Sequence, residues 1–95
     1  VGQIVDVLRG LAPEELAEPW DKVGLQLGDP EWGVDHALLC IDLTEAVLHE
    51  AVNVGATLVV AYHPPIFEPI ARLTASSWKG RLLLEAARRG VAIYS

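Results

Sequence analysis

His63 has the strongest chemical case in the chain. The apolar run Thr57-Leu58-Val59-Val60-Ala61 ends in Tyr62-His63-Pro64-Pro65. Neutral imidazole is the commonest side-chain metal ligand and titrates nearest to neutral pH, so His63 suits metal ligation or general-base work. Pro64 and Pro65 have no N–H to donate, so a sheet ladder stops there and His63 falls at the carboxyl end of a strand. In open α/β sheets, ligands bind along that edge. The blander alternative is a histidine hydrogen-bonded within a Pro-rich loop, and position alone leaves the two readings level. Asp42 closes a second apolar run, 36–41. It could orient a ligand imidazole or meet a metal directly, although loop solvation or capping of the next helix is the commoner role for an Asp so placed. Tyr62 could donate a hydrogen bond to a substrate, with packing the commoner role.

One histidine does not make a metal site. Zinc or a similar ion takes three or four ligands, so the others must come from elsewhere. His36 and His49, at a strand start and on a helix face with acids around them, read as surface residues. Gly24 and Gly28 are not followed by a Lys-Ser/Thr pair, so there is no phosphate-binding loop of the P-loop kind, and neither His-Glu-x-x-His nor Gly-x-Ser-x-Gly occurs.

The elements that must position these residues follow from periodicity. Ile4, Val7, Leu8 and Leu11 share one helical face, which predicts a helix over 2–11. Pro13-Glu14-Glu15 starts a short second turn. The segment 24–28 alternates weakly, as a short strand or an ordered loop, and Asp29-Pro30 with Gly33 marks a turn. A regular alternation follows: strands at 37–42, 57–62 and 91–94, the first two buried, with helices at 45–54 and 77–89. Thr44 and Ser76 or Ser77 are the N-caps, and Gly55 and Gly90 the stops. The β-α-β-α-β order predicts an α/β, parallel-sheet, three-layer domain with the N-terminal helix in front. If the three strands are adjacent, Asp42, His63 and Ser95 lie at three successive carboxyl ends. Trp20, Trp32 and Trp78 are read as core or interface aromatics.

Ninety-five residues make at most one small domain. Its hydrophobic fraction of 52% is high for so short a chain. Self-association, membership of a longer polypeptide, or both would cover that apolar content. The net charge of −6 argues against direct nucleic-acid contact. The only basic pair, Arg88-Arg89, suits a helix C-terminus. Cys40 is the single cysteine, so no internal disulfide forms; a buried thiol in a reducing, cytoplasmic setting is the expectation. No apolar span of the ~20 residues a membrane helix needs is present.

Three segments together resemble a known family. Trp20-Asp21-Lys22-Val23-Gly24-Leu25-Gln26-Leu27-Gly28 is similar to its first signature, usually Trp-Asp-Asn-Val-Gly-Leu. Ile41-Asp42-Leu43-Thr44 with Glu50-Ala51 resembles its second, and Tyr62-His63-Pro64-Pro65-Ile66-Phe67 its third. The family is the Nif-three-like proteins, also called GTP cyclohydrolase I type 2 homologues. The resemblance covers nearly the whole chain, as the N-terminal part of a longer domain. It implies a cytoplasmic α/β protein, often a toroidal homohexamer, with a dinuclear centre of divalent metal ions (zinc, iron, manganese or similar) lined by His, Asp and Glu. It implies His63 as a metal ligand, with Asp42, Tyr62 and Asp21 as surrounding or substrate-side residues. It implies a metal-dependent hydrolase acting on a small nucleotide or phosphate-containing substrate. The alternative is a non-catalytic oligomeric module linked to transcriptional regulators. Most members carry His-His-Pro in the third signature. Tyr62 replaces the first histidine, in a form that resembles the eukaryotic-type branch, and phenol, with a pKa of about 10, is a poor ligand at neutral pH. Lys22 replaces the usual Asn. The family's remaining ligands lie in a His-Thr-x-x-Asp segment after a Tyr-Ser strand end, matched here by Tyr94-Ser95, and in a His and a Glu near its C-terminus.

Overall fold

The computed structural model describes residues 1–95. Helix α1 spans Gly2–Leu11 and is followed by a 3-10 turn at Glu14–Leu16. Strand β1 is Leu25–Leu27, β2 is Ala37–Cys40, helix α2 is Glu45–Asn53, β3 is Leu58–Ala61, helix α3 is Trp78–Arg88, and β4 is Ala92–Tyr94. The four strands form one sheet in the order β1-β4-β3-β2. The assumed adjacency of β2, β3 and β4 is present, and both pairings are parallel, as predicted, with Cys40 opposite Ala61 and Val60 opposite Tyr94. The segment left open between strand and loop is a strand: β1 lies antiparallel to β4 and closes one edge of the sheet.

Local chemistry explains the helix boundaries. The Thr44 hydroxyl accepts from Val47 N–H at 3.2 Å, and the Ser77 hydroxyl accepts from Gly80 N–H at 3.0 Å. Each satisfies a donor the first turn leaves free. Gly55 (φ +78°) and Gly90 (φ +68°) turn the chain out of α2 and α3, a left-handed conformation that glycine adopts without steric cost.

The sheet has helices on both sides, giving three layers. On one side, α2 and α3 cover Val59, Ala61 and Ile93 with Leu48, Ala51, Leu82, Leu83 and Ala86 in an 11-residue core. On the other, Val5 of α1 and Val1 just before it cover Leu58, Ala92 and Tyr94 in a cluster of five. Trp32 packs against this second cluster, as expected of a core aromatic. Trp20 and Trp78 are exposed, which removes the core reading for both and leaves the interface one. One other expectation is corrected. Strand β2 is not buried on both faces: Leu38 and Cys40 pack on the larger core, while Leu39 and Ile41 are 75% and 62% exposed. It is an edge strand, and α1 does not reach across to it.

Candidate functional site at the strand ends

Backbone pairing continues two residues beyond the regular strands. Tyr62 N–H donates to Cys40 O and His63 N–H to Ile41 O, both at 2.9 Å. Pro64 and Pro65 then end it, as their missing donors require. The 21-residue offset of the β2–β3 register carries over to Asp42 and His63, which therefore emerge side by side. His63 Nδ1 lies 2.8 Å from Asp42 Oδ1. The carboxylate can only accept, so Nδ1 carries a proton, and in the neutral ring the lone pair is then on Nε2. Both side chains are more than half exposed, and an ion pair in water contributes at most about 1 kcal/mol to stability. Orientation of the imidazole is what this contact delivers.

The other predicted residues are distributed around this pair. Tyr62 is 76% exposed, which corrects the preference for packing, and its ring meets the His63 ring edge-on with centroids 5.1 Å apart. No layer covers the outer face of β2 and the end of β3, so nothing is available for Tyr62 to pack under. Asp21 accepts a local hydrogen bond from Lys22 N–H at 2.8 Å and does not join the His63–Asp42 pair. Lys22 Nζ stands 5.9 Å from the centroid of Phe67, so the first signature does face the third. Ser95, the third strand end, is held structurally: its hydroxyl donates to Ala61 O at 2.9 Å. His36 and His49 are exposed, as expected. Cys40 is half-buried, and burial, with the Asp42 charge second, pushes its thiol above the usual range. The neutral form is therefore favoured, which makes it a poor ligand or nucleophile.

Beside the pair runs an apolar groove of about 840 Å³, walled by Leu8 and Leu11 of α1 and by Leu39, Ile41, Val60 and Tyr62 of the sheet. Its one acidic residue is Glu14, which accepts from Arg9 Nε at 2.7 Å and from the Tyr94 hydroxyl at 3.4 Å. That network ties α1, the 3-10 turn and β4 together at the groove's rim. Gln26 was not singled out from the sequence, yet its side-chain amide makes two hydrogen bonds to Ile66 in the loop after His63. A lone Gln between two leucines of a short strand was the only available signal.

The donor set decides what a metal could find here. His63 offers Nε2 and Asp42 a second carboxylate oxygen, and no group of three or more His, Cys, Asp or Glu comes together. The pair fits one edge of a divalent-metal shell, and these 95 residues do not complete it.

A mostly parallel, layered α/β sheet with a carboxylate-oriented histidine at a strand end defines a class of site-bearing domain without fixing its chemistry. The chain belongs to the Duf34/NIF3 (NGG1p interacting factor 3) family, whose model matches residues 1–95. It is 43% identical over 94 residues to NIF3-like protein 1 of Drosophila melanogaster, covering 97% of this chain and 32% of that protein. It is 40% identical over 83 residues to the GTP cyclohydrolase 1 type 2 homolog of Lactococcus lactis, covering 87% and 32%. A crystal structure of a Bacillus cereus protein related to NIF3 superposes with a TM-score of 0.91 at 34% identity, covering 97% of this chain and 26% of that one. The chain thus spans about a third of the curated relatives' length in these two matches.

Proposed function

We propose that, in the full-length protein, His63 ligates a divalent metal ion through Nε2 and that the assembled centre serves hydrolysis of a nucleotide or phosphate-containing substrate. The observation that carries this reading is the 2.8 Å contact between His63 Nδ1 and Asp42 at adjacent strand ends. A carboxylate behind the far ring nitrogen fixes the tautomer of the neutral ring and aims the free nitrogen. When bound, the ion supplies Lewis acidity toward a substrate oxygen. Asp42 holds the ring in place, and the exposed Tyr62 hydroxyl beside it is free to donate to a substrate. The remaining ligands of such a centre are not supplied by these 95 residues.

The test is metal content in the full-length protein. His63→Ala should lower the divalent metal bound per subunit, and Asp42→Asn should weaken affinity roughly 10–100-fold while leaving the ligand in place. Unchanged metal in His63→Ala, by elemental analysis, would sink the ligand assignment.

A second reading draws on the apolar groove. Its exposed leucine, isoleucine and tyrosine wall supports a self-associating module, a ring-like homo-oligomer whose role is interaction instead of catalysis. A full-length protein that assembles normally but holds no metal would favour it.

A further inference from the structure

The loop that leaves His63 contains two prolines, so Ile66 carries the only backbone N–H between His63 and Phe67. That N–H donates to Gln26 Oε1 at 3.0 Å, and Gln26 Nε2 donates back to the Ile66 carbonyl at 2.9 Å. A backbone N–H can only donate and a carbonyl can only accept, so the pair also fixes which end of the amide is which. The side chain thus satisfies Ile66 as a neighbouring strand would, across 40 residues of sequence. Gln26 lies where the β1–β4 register shifts, between Leu25 and Leu27, and irregularities of this kind re-aim a side chain out of the regular pleat. Lys79 adds a second tie, its Nζ donating to the Pro65 carbonyl.

We propose that Gln26 is a positioning residue for His63, clamping the Pro64–Pro65–Ile66 segment so that the imidazole keeps its aim. The histidine backbone is anchored on one side by its N–H bond to Ile41 O. On the other side the chain has few free torsions before Ile66, because both proline φ angles are locked near −65°. A displacement at Ile66 is therefore passed back to the ψ of His63 instead of being absorbed. With the backbone held at both ends, Asp42 needs to fix only the ring. Supporting interactions of this sort decide whether a ligand is held within the tolerance a metal requires.

The inference rests on the ligand reading of His63, and the experiment separates the two. In the full-length protein, Gln26→Leu keeps most of the side-chain volume and removes both hydrogen bonds. Zn2+ affinity, measured by competition with a chromophoric chelator, should fall roughly tenfold, the low end of what outer-shell changes cost. Exchange of the Ile66 amide should accelerate at least as much. Val5→Ala, a variant of the α1 cluster that Ile66 does not join, should lose stability and leave both readouts unmoved. If Gln26→Leu does not fold, Gln26→Glu replaces it, since an ionised carboxylate cannot donate to the Ile66 carbonyl. Affinity within twofold of the parent, or an equal loss in Val5→Ala, overturns the proposal. If His63→Ala leaves Zn2+ affinity unchanged, the ligand reading falls. Positioning is then judged by the His63 ring-nitrogen NMR signals: loss of the Asp42-bonded signature in Gln26→Leu supports it, and an unaltered signature overturns it.

Discussion

The two faces of the sheet are finished to different degrees. Under α2 and α3, strand residues Val59, Ala61 and Ile93 meet a continuous layer of Leu and Ala side chains, all nearly inaccessible. Under α1, full cover stops at Leu58, Ala92 and Tyr94; Val60 is half-covered, and the sheet surface continues bare through Leu39 and Ile41 into the groove. Parallel strands ordinarily have both faces covered. The closed face therefore carries the stability of this segment, and the open face carries its unmet contacts. The His63–Asp42 pair lies at the end of the two strands flanking the open half, where the last paired residues on that face are Ile41 and Tyr62.

Substitutions that remove equal volume from the two faces should show this most strongly. Leu82 is fully buried among the closed core. Leu82→Ala should destabilise by about 2–5 kcal/mol, the range for a buried leucine that leaves a cavity. Leu39→Ala, three-quarters exposed on the open face, should change stability by less than about 0.5 kcal/mol, as surface changes do. Denaturant unfolding of the two variants measures the gap, and equal losses would mean that the open face is covered in solution.

A second test asks what covers it. Leu39→Lys puts a charge in the wall of the groove and leaves the closed core untouched. If copies of the chain meet through this face, the variant should sediment at lower mass than the parent at the same concentration, with an unfolding transition near the parent's. Unchanged association would place the contact elsewhere on the molecule.

The closed face was also the legible one. Its helices announce themselves through Thr44, Ser77, Gly55 and Gly90, because capping and left-handed turns are local chemistry readable from a few residues. The three strands and their parallel sense are readable from alternating apolar runs and periodic segments, whereas their adjacency came from the pairing. The pairing of Asp42 with His63 was legible only as a shared strand end; the 2.8 Å contact needed the register. The bareness of β2 could not be read from Ala37-Leu38-Leu39-Cys40-Ile41, since an apolar run looks the same whether or not a layer lies above it. The exposure of Tyr62, Trp20 and Trp78 is hidden in the sequence for the same reason: burial belongs to the neighbouring layer, and the residue type carries no record of it. Gln26 was missed because its partner, Ile66, lies 40 residues away.

The smallest expected effect concerns two acids, one on each face. Cys40 packs against the closed core, and burial raises its thiol pKa, with Asp42 second. Tyr94 belongs to the α1 cluster, and burial raises its phenol pKa, with Glu14 second. In both, the folded protein prefers the neutral form more strongly than the unfolded chain does. Between the unfolded and folded pKa values the unfolded chain has already lost its proton, so stability falls as pH rises. The contribution is whole below the ordinary value and lost as pH climbs through the folded one. For the thiol that decline starts near pH 8.5, and for the phenol near pH 10. Metal-free protein unfolded by denaturant at a series of pH values should therefore weaken in two stages. Cys40→Ala should abolish the first stage and leave the second. A decline between about pH 8.5 and 10 that persists in Cys40→Ala would assign it to another group and remove the thiol from the closed core's account of pH.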